Sequence, residues 1–203
     1  MKIVILGSSG LLGSILVPYL INKGYETISI GRSITCSFEC DITNEDEIKK
    51  ILFKLNPDIV INLAAITNVD TCEEKPSLAY KVNVKVVENI VSFLKISSKK
   101  CHLFQISTDH VYDGSYLNIE TKVSLQNYYA FSKFTAEQVA LQTSSTILRT
   151  NFFGKSKCKK RDSFSDWIYE KLSKNDNFYI FNDVYFSPVS ITTLCDTMSD
   201  LLK

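Results

Sequence analysis

The sequence predicts an α/β fold in which helices cover both faces of a doubly wound parallel sheet. Two observations support this prediction. Short apolar segments rich in β-branched residues alternate with segments of helical periodicity from the first residue onward. Most connections between the apolar segments are long enough to hold a helix, so successive strands are expected to run parallel. The first apolar segment, Lys2–Leu6, reads KIVIL, which is typical of a strand buried on both faces.

The predicted elements follow one another in strand–helix order up to about residue 150. Strands are expected at Lys2–Leu6, Thr27–Ile30, Ser37–Cys40, Asp58–Leu63, Leu103–Ile106 and Thr146–Leu148. Helices are expected at Leu11–Asn22, Asn44–Leu55, Ser77–Ile96 and Asn127–Leu141. In the helix at Ser77–Ile96, the predicted packing side consists of Leu78, Val82, Val86, Ile90 and Leu94. Beyond residue 150 we expect a helix at Phe164–Leu172, a strand at Phe178–Phe181 and a helix at Ile191–Leu202.

Length and composition are those of an ordinary globular protein. The chain has 203 residues, of which 45% are hydrophobic and 22% charged, and its net charge is +1. This balance produces no overall field that favours nucleic acid or an anionic membrane, and we expect neither as a partner. The apolar stretch from Ile3 to Ile21 is interrupted by glycines at three-residue steps, so we do not interpret it as a secretory signal peptide.

Six cysteines are scattered along the chain without a CxxC pair, and only two histidines accompany them. Their spacing does not fit a zinc site, so we expect no metal. The simplest interpretation is six free thiols in a reducing compartment, which predicts a cytoplasmic protein.

A glycine-rich loop connects the first strand to the first helix and reads GSSGLLG. Its glycines, Gly7, Gly10 and Gly13, allow a tight turn, let a pyrophosphate approach the backbone, and permit close packing of helix against sheet. The helix N-terminus supplies amide donors for the phosphates. A turn without a ligand is the alternative. The position after an N-terminal strand favours a Rossmann-type dinucleotide site.

The residues after the second and third strands bear on which dinucleotide binds. The second strand ends at Gly31-Arg32-Ser33, where many NAD-dependent domains place an acidic residue. Arg32 can pair with a 2′-phosphate and Ser33 can hydrogen-bond it, so we expect NADPH, with NADH as the alternative. Arg32 can also be read as a solvated surface residue. Asp41 suits the exocyclic amine of adenine, or else it caps the following helix.

A tyrosine and a lysine four residues apart give the clearest indication of chemistry. Tyr129 and Lys133 lie on one face of a predicted helix. A nearby ammonium favours the phenolate, so such a tyrosine can exchange a proton with a substrate oxygen while hydride moves to or from nicotinamide. Thr108, at the end of the fifth strand, is placed to hydrogen-bond the same oxygen. Alone, this threonine would more often bond nearby backbone.

These candidate residues share one place in the predicted fold. Gly7, Arg32, Asp41, Ala64-Ala65 and Thr108 all follow the carboxyl ends of predicted strands. In an open α/β sheet this is the edge at which ligands bind. We therefore expect an NAD(P)-binding Rossmann domain at residues 1–150 and a small, incomplete substrate-binding lobe at residues 151–203.

Several motifs in sequence order resemble the extended short-chain dehydrogenase/reductases and, among them, the dTDP-4-dehydrorhamnose reductase family of sugar-nucleotide reductases. The segments that show this resemblance are GSSGLLG at Gly7–Gly13, PDIVINLAAITNVDTCEEKP at Pro57–Pro76, VN at Val82-Asn83, STDHVYDG at Ser107–Gly114, YAFSK at Tyr129–Lys133 and LRTNFFG at Leu148–Gly154. A weaker match lies at Phe186-Ser187-Pro188. The resemblance covers residues 1 to about 154.

The resemblance implies a role for each matched position. Thr108, Tyr129 and Lys133 correspond to the family's catalytic residues, and Asn83 to an asparagine that supports their geometry, although a capping or buried polar role is the alternative. Cofactor contacts are implied for Gly10, Leu11, Leu12, Ala64, Ala65 and Thr67, with Asp41 and Ile42 near adenine. Contacts with the sugar nucleotide are implied for Val69, Asp70, Asp109 and His110.

Four differences from the family and its relatives limit what the resemblance implies. Thr108 is followed by Asp109-His110 rather than Asp-Glu, which disfavours the dehydration carried out by related 4,6-dehydratases. His110 stands where the reductases usually have an aromatic residue, and we interpret it as lining the pocket rather than as a base. Phe152 replaces a tryptophan next to the substrate, so the sugar is expected to differ. The chain is also shorter than members of this family, so we expect part of the substrate lobe to lie outside it, or the chain to be one piece of a split protein.

The sequence thus predicts an NADPH-dependent reductase of a keto group on a nucleotide-linked deoxysugar, serving surface polysaccharide synthesis. The alternatives are a non-catalytic partner protein of the same fold and a nucleotide-sugar epimerase. The resemblance makes a homodimer an expectation as well. The basic segment Lys155–Arg161 either contacts the sugar-nucleotide diphosphate or is a solvated loop, and we favour the solvated loop.

Overall fold

The computed structural model describes residues 1–33, 35–113, 117–157 and 163–203. Within these residues, parallel strands form a six-stranded sheet in the order β3-β2-β1-β4-β5-β6, which confirms the predicted doubly wound fold. The strands are β1 (Lys2–Leu6), β2 (Glu26–Gly31), β3 (Phe38–Glu39), β4 (Ile59–Asn62), β5 (His102–Thr108) and β6 (Ser145–Thr150).

Helices connect the strands and cover both faces of the sheet. They are α1 (Gly13–Asn22), α2 (Glu45–Leu55), α3 (Val69–Glu74), α4 (Pro76–Ala79), α5 (Val86–Ile96), α6 (Tyr128–Ala140), α7 (Phe164–Ser173) and α8 (Ile191–Leu201). A π-helical segment, Tyr80–Lys85, joins α4 to α5. A second, parallel sheet pairs β7 (Phe152–Phe153) with β8 (Val189–Ser190).

Two hydrophobic clusters form the core, one on each face of the sheet. Strand β1 shows why, because its side chains alternate between the faces. Val4 and Leu6 are buried in the cluster that also holds residues of α2, α5 and α6. Ile3 and Ile5 are buried in the opposite cluster with residues of α1 and α8. A strand buried on both faces must be apolar at every position, which is what the sequence KIVIL indicated.

The last helix packs in the same core as the first. Leu194, Cys195 and Met198 of α8 are buried in the cluster that contains Leu16 and Leu20 of α1. The segment after residue 150 therefore returns to the dinucleotide-binding half of the fold. The division of the chain at residue 150 stays a prediction.

The long helix predicted at Ser77–Ile96 is interrupted, and its packing side differs from the predicted one. Leu78 is 43% exposed, whereas Ala79 and Asn83 are buried. A π-helical turn holds one residue more than an α-helical turn, so it rotates the side chains on either side of it relative to each other. The predicted positions Val86 and Ile90, beyond the π segment, do face the core.

The strand predicted at Phe178–Phe181 is wrong. The structure has irregular backbone there, and Tyr179, Ile180 and Phe181 are exposed. The apolar run resembles a buried strand in sequence, but a strand needs a partner along its edge, and the part of the chain described here provides none to it. The strand after α7 is instead β8, which is only two residues long.

The backbone of Gly7 is tightly constrained, which gives a test of the fold. Its φ is +76°, and a Cβ there would lie 2.7 Å from the backbone nitrogen of Ala64. Gly24 has a similar φ of +87°, but a Cβ there would meet nothing within 4 Å.

We expect Gly7→Ala to lower the free energy of unfolding by at least about 3 kcal/mol, because backbone strain and the clash add. Gly24→Ala carries the strain alone and is expected to cost about 1 kcal/mol. Urea denaturation of both variants measures the difference. Equal destabilisation by the two substitutions would show that the close approach to Ala64 has no energetic weight.

Candidate active site

The glycine loop lies where β1 ends and α1 begins, and its three glycines have different surroundings. Gly7 approaches the backbone of Ala64, the second residue after β4. A Cβ at Gly13 would lie 2.6 Å from the Cα of Ser8, so α1 packs against the loop itself. A Cβ at Gly10 would meet only the carbonyl oxygen of Gly7, at 3.4 Å. Gly10 therefore leaves open space at the edge of the loop, where a phosphate can approach the backbone.

The N-terminus of α1 has the features of an anion-binding site. Its N-cap residue, Leu12, makes no side-chain cap, and the first turn contains no acidic residue. Other helices that begin after a loop are capped by side chains, namely α2, α3, α6, α7 and α8 by Asn44, Asn68, Asn127, Ser163 and Ser190. An uncapped N-terminus beside a glycine loop offers amide donors and the positive end of the helix dipole to a phosphate.

The other predicted cofactor residues lie along the same edge of the sheet. Arg32 and Ser33 follow β2, and Ser33 shares a 2.8 Å hydrogen bond with the hydroxyl of Thr35. Ala64 and Ala65 follow β4, and Thr67 stands just before the cap of α3. All of these residues follow the carboxyl ends of strands, at the edge that includes the reversal of strand order between β1 and β4, where ligands bind in open α/β sheets.

Asp41 does not cap the helix that follows it. Its carboxylate accepts hydrogen bonds from the hydroxyl of Thr43 at 2.7 Å and from the Thr43 amide at 3.0 Å, while Asn44 caps α2. The Thr43 hydroxyl and amide hold the pKa of Asp41 below its ordinary value, with a smaller effect from the positive charge of Arg32. Asp41 is therefore an exposed carboxylate at the sheet edge, next to the buried Ile42.

Thr108, Tyr129 and Lys133 come together at the carboxyl end of β5. All three are buried. The hydroxyl of Thr108 accepts a 3.1 Å hydrogen bond from the amide of His110, and the His110 ring meets the Tyr129 ring edge to face at 5.4 Å between centroids. His110 thus bridges the threonine to the tyrosine. This position agrees with a residue that lines the pocket.

Lys133 is a buried cation held against the sheet. Its ammonium donates a 2.6 Å hydrogen bond to the carbonyl oxygen of Ile106. Burial lowers the pKa of Lys133 to about 8, and the nearby carboxylate of Glu137 opposes this shift. Near neutral pH the lysine is therefore still charged, and it can favour the phenolate form of Tyr129 one helical turn away.

Asn83 fixes the position of α6 relative to the loop after β4. Its side-chain oxygen accepts a 2.7 Å hydrogen bond from the amide of Ile66, and its amide nitrogen donates to the Ile66 carbonyl at 3.1 Å and to the Ser132 hydroxyl at 2.9 Å. Ser132 directly precedes Lys133 in α6. The π-helical segment brings Asn83 into this position, which supports its predicted role in active-site geometry.

A buried salt bridge beneath the lysine was not found by sequence reasoning. Glu137, with 1% of its side chain exposed, accepts a hydrogen bond from the Ser107 hydroxyl. It also accepts bonds of 2.6 to 3.1 Å from two nitrogens of Arg149. Arg149 also donates to the hydroxyl of Tyr112 at 2.9 Å and to the carbonyl of Glu120 at 2.8 Å. The available signal was the i+4 spacing from Lys133 to Glu137, which puts them on one helix face.

The predicted substrate residues are distributed around the same end of the sheet. Val69 and Asp70 form the first turn of α3, with Asp70 exposed. Asp109 begins a short 3₁₀ turn after β5 and accepts a 3.1 Å hydrogen bond from the amide of Asn151. Phe152 lies in β7 and packs against the α1 side of the core. The contacts of these residues with a substrate remain predictions.

The structure holds no cluster of metal-ligating side chains among its described residues. No helix in the described part is long and apolar enough to cross a membrane. Cys40, Cys72, Cys101 and Cys195 are buried free thiols and Cys36 is a partly exposed one, while Cys158 lies outside the described residues, as does most of the basic segment Lys155–Arg161.

Fold and site together define a dinucleotide-binding α/β protein with the tyrosine–lysine arrangement of short-chain dehydrogenases. Comparison with known proteins specifies the family. A family model described as the RmlD substrate binding domain matches residues 1–203, and the chain belongs to this family.

The curated relatives include sugar-nucleotide reductases. The chain is 28% identical over 209 residues to the probable low-salt glycan biosynthesis reductase Agl14 of Haloferax volcanii, covering 97% of this chain and 69% of that protein. It is 34% identical over 158 residues to a dTDP-4-dehydrorhamnose reductase of Aggregatibacter actinomycetemcomitans, covering 74% of this chain and 51% of the relative. For the Mycolicibacterium smegmatis reductase, 32% identical, the matched region spans 45% of the relative.

Solved structures of similar proteins have the same fold over the full length of this chain. A hypothetical dTDP-4-dehydrorhamnose reductase from Sulfolobus tokodaii superposes with a TM-score of 0.87 at 32% identity, covering 100% of this chain and 72% of that one. The Bacillus anthracis dTDP-4-dehydrorhamnose reductase in complex with NADP gives a TM-score of 0.87 at 25% identity, covering 100% and 71%.

The Glu137–Arg149 pair makes a testable contribution to stability. We expect Glu137→Gln to lower the free energy of unfolding by about 3 kcal/mol, because it leaves the mostly buried charge of Arg149 without its partner. Glu170→Gln removes an exposed carboxylate paired with Lys174, and is expected to leave stability essentially unchanged because solvent screens the pair. Denaturant unfolding compares the two. A loss below about 1 kcal/mol for Glu137→Gln would contradict the proposed weight of this pair.

The lowered pKa of Lys133 predicts a pH dependence of stability. Folded Lys133 binds its proton more weakly than the unfolded residue does, so stability rises with pH between about 8 and 10.5. The stability of the wild type minus that of Lys133→Met is therefore expected to increase by roughly 3 kcal/mol across this interval. Lys50→Met, on the exposed side of α2, controls for loss of a charge. A difference that does not change with pH would show that burial leaves the lysine unperturbed.

Proposed function

We propose that this chain provides the NADPH-binding and proton-transfer half of a reductase that acts on a keto group of a nucleotide-linked deoxysugar. The observation that carries the proposal is the buried arrangement of Thr108, Tyr129 and Lys133 at the same sheet edge as the glycine loop. The names of the relatives, which are dTDP-4-dehydrorhamnose and glycan-biosynthesis reductases, support this substrate class. The aligned structures extend beyond this chain by about 30% of their length, so we assign it no more than this half of the site.

The described residues fit a dinucleotide at three points. The open space at Gly10 and the uncapped N-terminus of α1 accept the pyrophosphate. Leu11, Leu12 and Gly13 supply backbone amides there, and we assign the adenosine to the edge formed by Arg32, Ser33, Asp41 and Ile42. Ala64, Ala65 and Thr67 border the path toward Tyr129. An NADP complex of a relative supports NADPH over NADH.

The protein's part in the reaction is to hold a carbonyl oxygen and give it a proton. When bound, the cofactor supplies the hydride. Tyr129 is the proton donor, and Thr108 offers a second hydroxyl to the same oxygen. The Lys133 ammonium stabilises the phenolate that remains after transfer, and Ile106 and Glu137 keep the ammonium in place. His110 closes one side of the tyrosine ring and thereby limits access of water.

We propose that Val69, Asp70, Asp109, His110 and Phe152 face the sugar nucleotide. A reaction without dehydration agrees with Asp109-His110 after the catalytic threonine. Reduction of a soluble sugar nucleotide belongs in the cytoplasm, and the buried thiols agree with a reducing compartment. A homodimer is part of the same proposal, by analogy with the family alone.

Replacement of the tyrosine hydroxyl tests the proposal. Calorimetric titration is expected to show NADPH binding to the wild-type chain, and Tyr129→Phe is expected to keep that affinity within about twofold. Oxidation of NADPH with dTDP-4-dehydrorhamnose, in the presence of any additional chain that completes the site, is expected to fall by about 100-fold or more in Tyr129→Phe. Tyr80→Phe, which removes an exposed hydroxyl bonded to Glu88, is the matched control. Wild-type turnover by Tyr129→Phe, or no NADPH binding by the wild type, would exclude this function.

A further inference from the structure

A cavity of about 500 Å³ opens beside the glycine loop, on the face of the sheet covered by α1. One wall is the loop itself, with Ser8 and Ser9. Another wall is the end of β2 and the residues after it, including Ser33 and Thr35. The start of α1, with Ser14, Val17 and Pro18, forms a further wall, and Lys157, from the segment that follows β7, also borders the cavity. Three distant parts of the chain thus meet around one space.

The chemistry of this cavity favours an anion with several oxygens. Its lining is rich in hydroxyl groups, and Lys157 is the cation among the described lining residues, which include no carboxylate. Hydroxyls and an ammonium are donors for a phosphate. A cavity of this size also accepts more than a bare ion.

The position of the cavity indicates which phosphate of the cofactor it would hold. It lies next to the N-terminus of α1, the proposed pyrophosphate site, and it includes Ser33, two residues after the end of β2. In dinucleotide-binding sheets the end of the second strand meets the ribose of adenosine, and a 2′-phosphate projects from that ribose. Arg32 is exposed and is not among the residues that line the cavity.

We propose that Lys157 recognises the 2′-phosphate of NADPH in this cavity and so sets the preference for NADPH over NADH. This inference rests on the proposed function and extends it, because it makes a residue from beyond the predicted Rossmann domain part of the cofactor site. At Lys157, this proposal replaces both alternatives given above for the basic segment, a solvated loop and a contact with the sugar-nucleotide diphosphate. Ser33 and Thr35 border the subsite, and of their two hydroxyls, which share a 2.8 Å hydrogen bond, one keeps its hydrogen for a phosphate oxygen.

Titration of both cofactors into variants of the full 203-residue chain tests the inference. Lys157→Met keeps most of the side-chain stem and removes the charge. We expect it to weaken NADPH binding about 5- to 10-fold and to leave NADH binding within about twofold, the size of effect expected for an exposed charge-assisted contact. Lys155→Met is the matched control, since Lys155 lies in the same segment but acts on Asp166. It is expected to alter neither affinity.

A second measurement isolates the subsite from the nicotinamide end. Adenosine 2′,5′-bisphosphate is expected to bind the wild type more tightly than AMP does, and Lys157→Met is expected to remove most of that difference. If both cofactors bind and Lys157→Met leaves the NADPH preference intact, the inference about Lys157 is wrong while the proposed function stands. If the wild type binds neither cofactor, the proposed function fails and the inference fails with it.

Discussion

The structure depends most on the contact between the end of β1 and the end of β4. Gly7 turns the chain with a positive φ directly against the backbone of Ala64, and a side chain of any size would push the two strand ends apart. Because β1 and β4 flank the point where strand order reverses, this contact sets the width of the crevice that ligands enter. The same turn starts α1 at the edge of the sheet, so the helix N-terminus points into the crevice.

Helix α6 connects this edge to the chemistry. Tyr129, Lys133 and Glu137 follow one another at four-residue steps, so one face of one helix holds the proposed proton donor, a buried cation and a buried carboxylate. A buried ammonium is unfavourable unless it has hydrogen-bond partners, and the Ile106 carbonyl supplies one. Glu137 forms a salt bridge with Arg149 of β6. The surroundings of the lysine charge therefore include groups from both β5 and β6.

Local patterns predicted most of this arrangement. The strand segments up to residue 150, the helices that begin near Asn44 and Asn127, and the shared position of the candidate residues at one sheet edge follow from short stretches of sequence, and the structure confirms them. The π-helical segment has no local signal in the sequence, and the bonds that its Asn83 makes with Ile66 join residues seventeen positions apart. Sequence reasoning also missed the Glu137–Arg149 pair, since each residue alone resembles a surface charge, and it took the exposed run at 178–181 for a buried strand.

The two ends of the proposed site differ in burial, and this difference determines which substitutions each end tolerates. At the proposed catalytic end, Lys133, Glu137 and Ser132 are almost fully buried, with Lys133 and Glu137 bonded to the sheet and Ser132 bonded to Asn83, so a substitution there disturbs the fold as well as the proposed chemistry. At the proposed adenosine end, Arg32, Thr35 and Lys157 are exposed, and a change of charge leaves no buried partner unpaired. Under these proposed assignments, cofactor preference can change through surface substitutions without loss of stability, whereas the groups proposed for proton transfer are held fixed by the packing of α6 against β5.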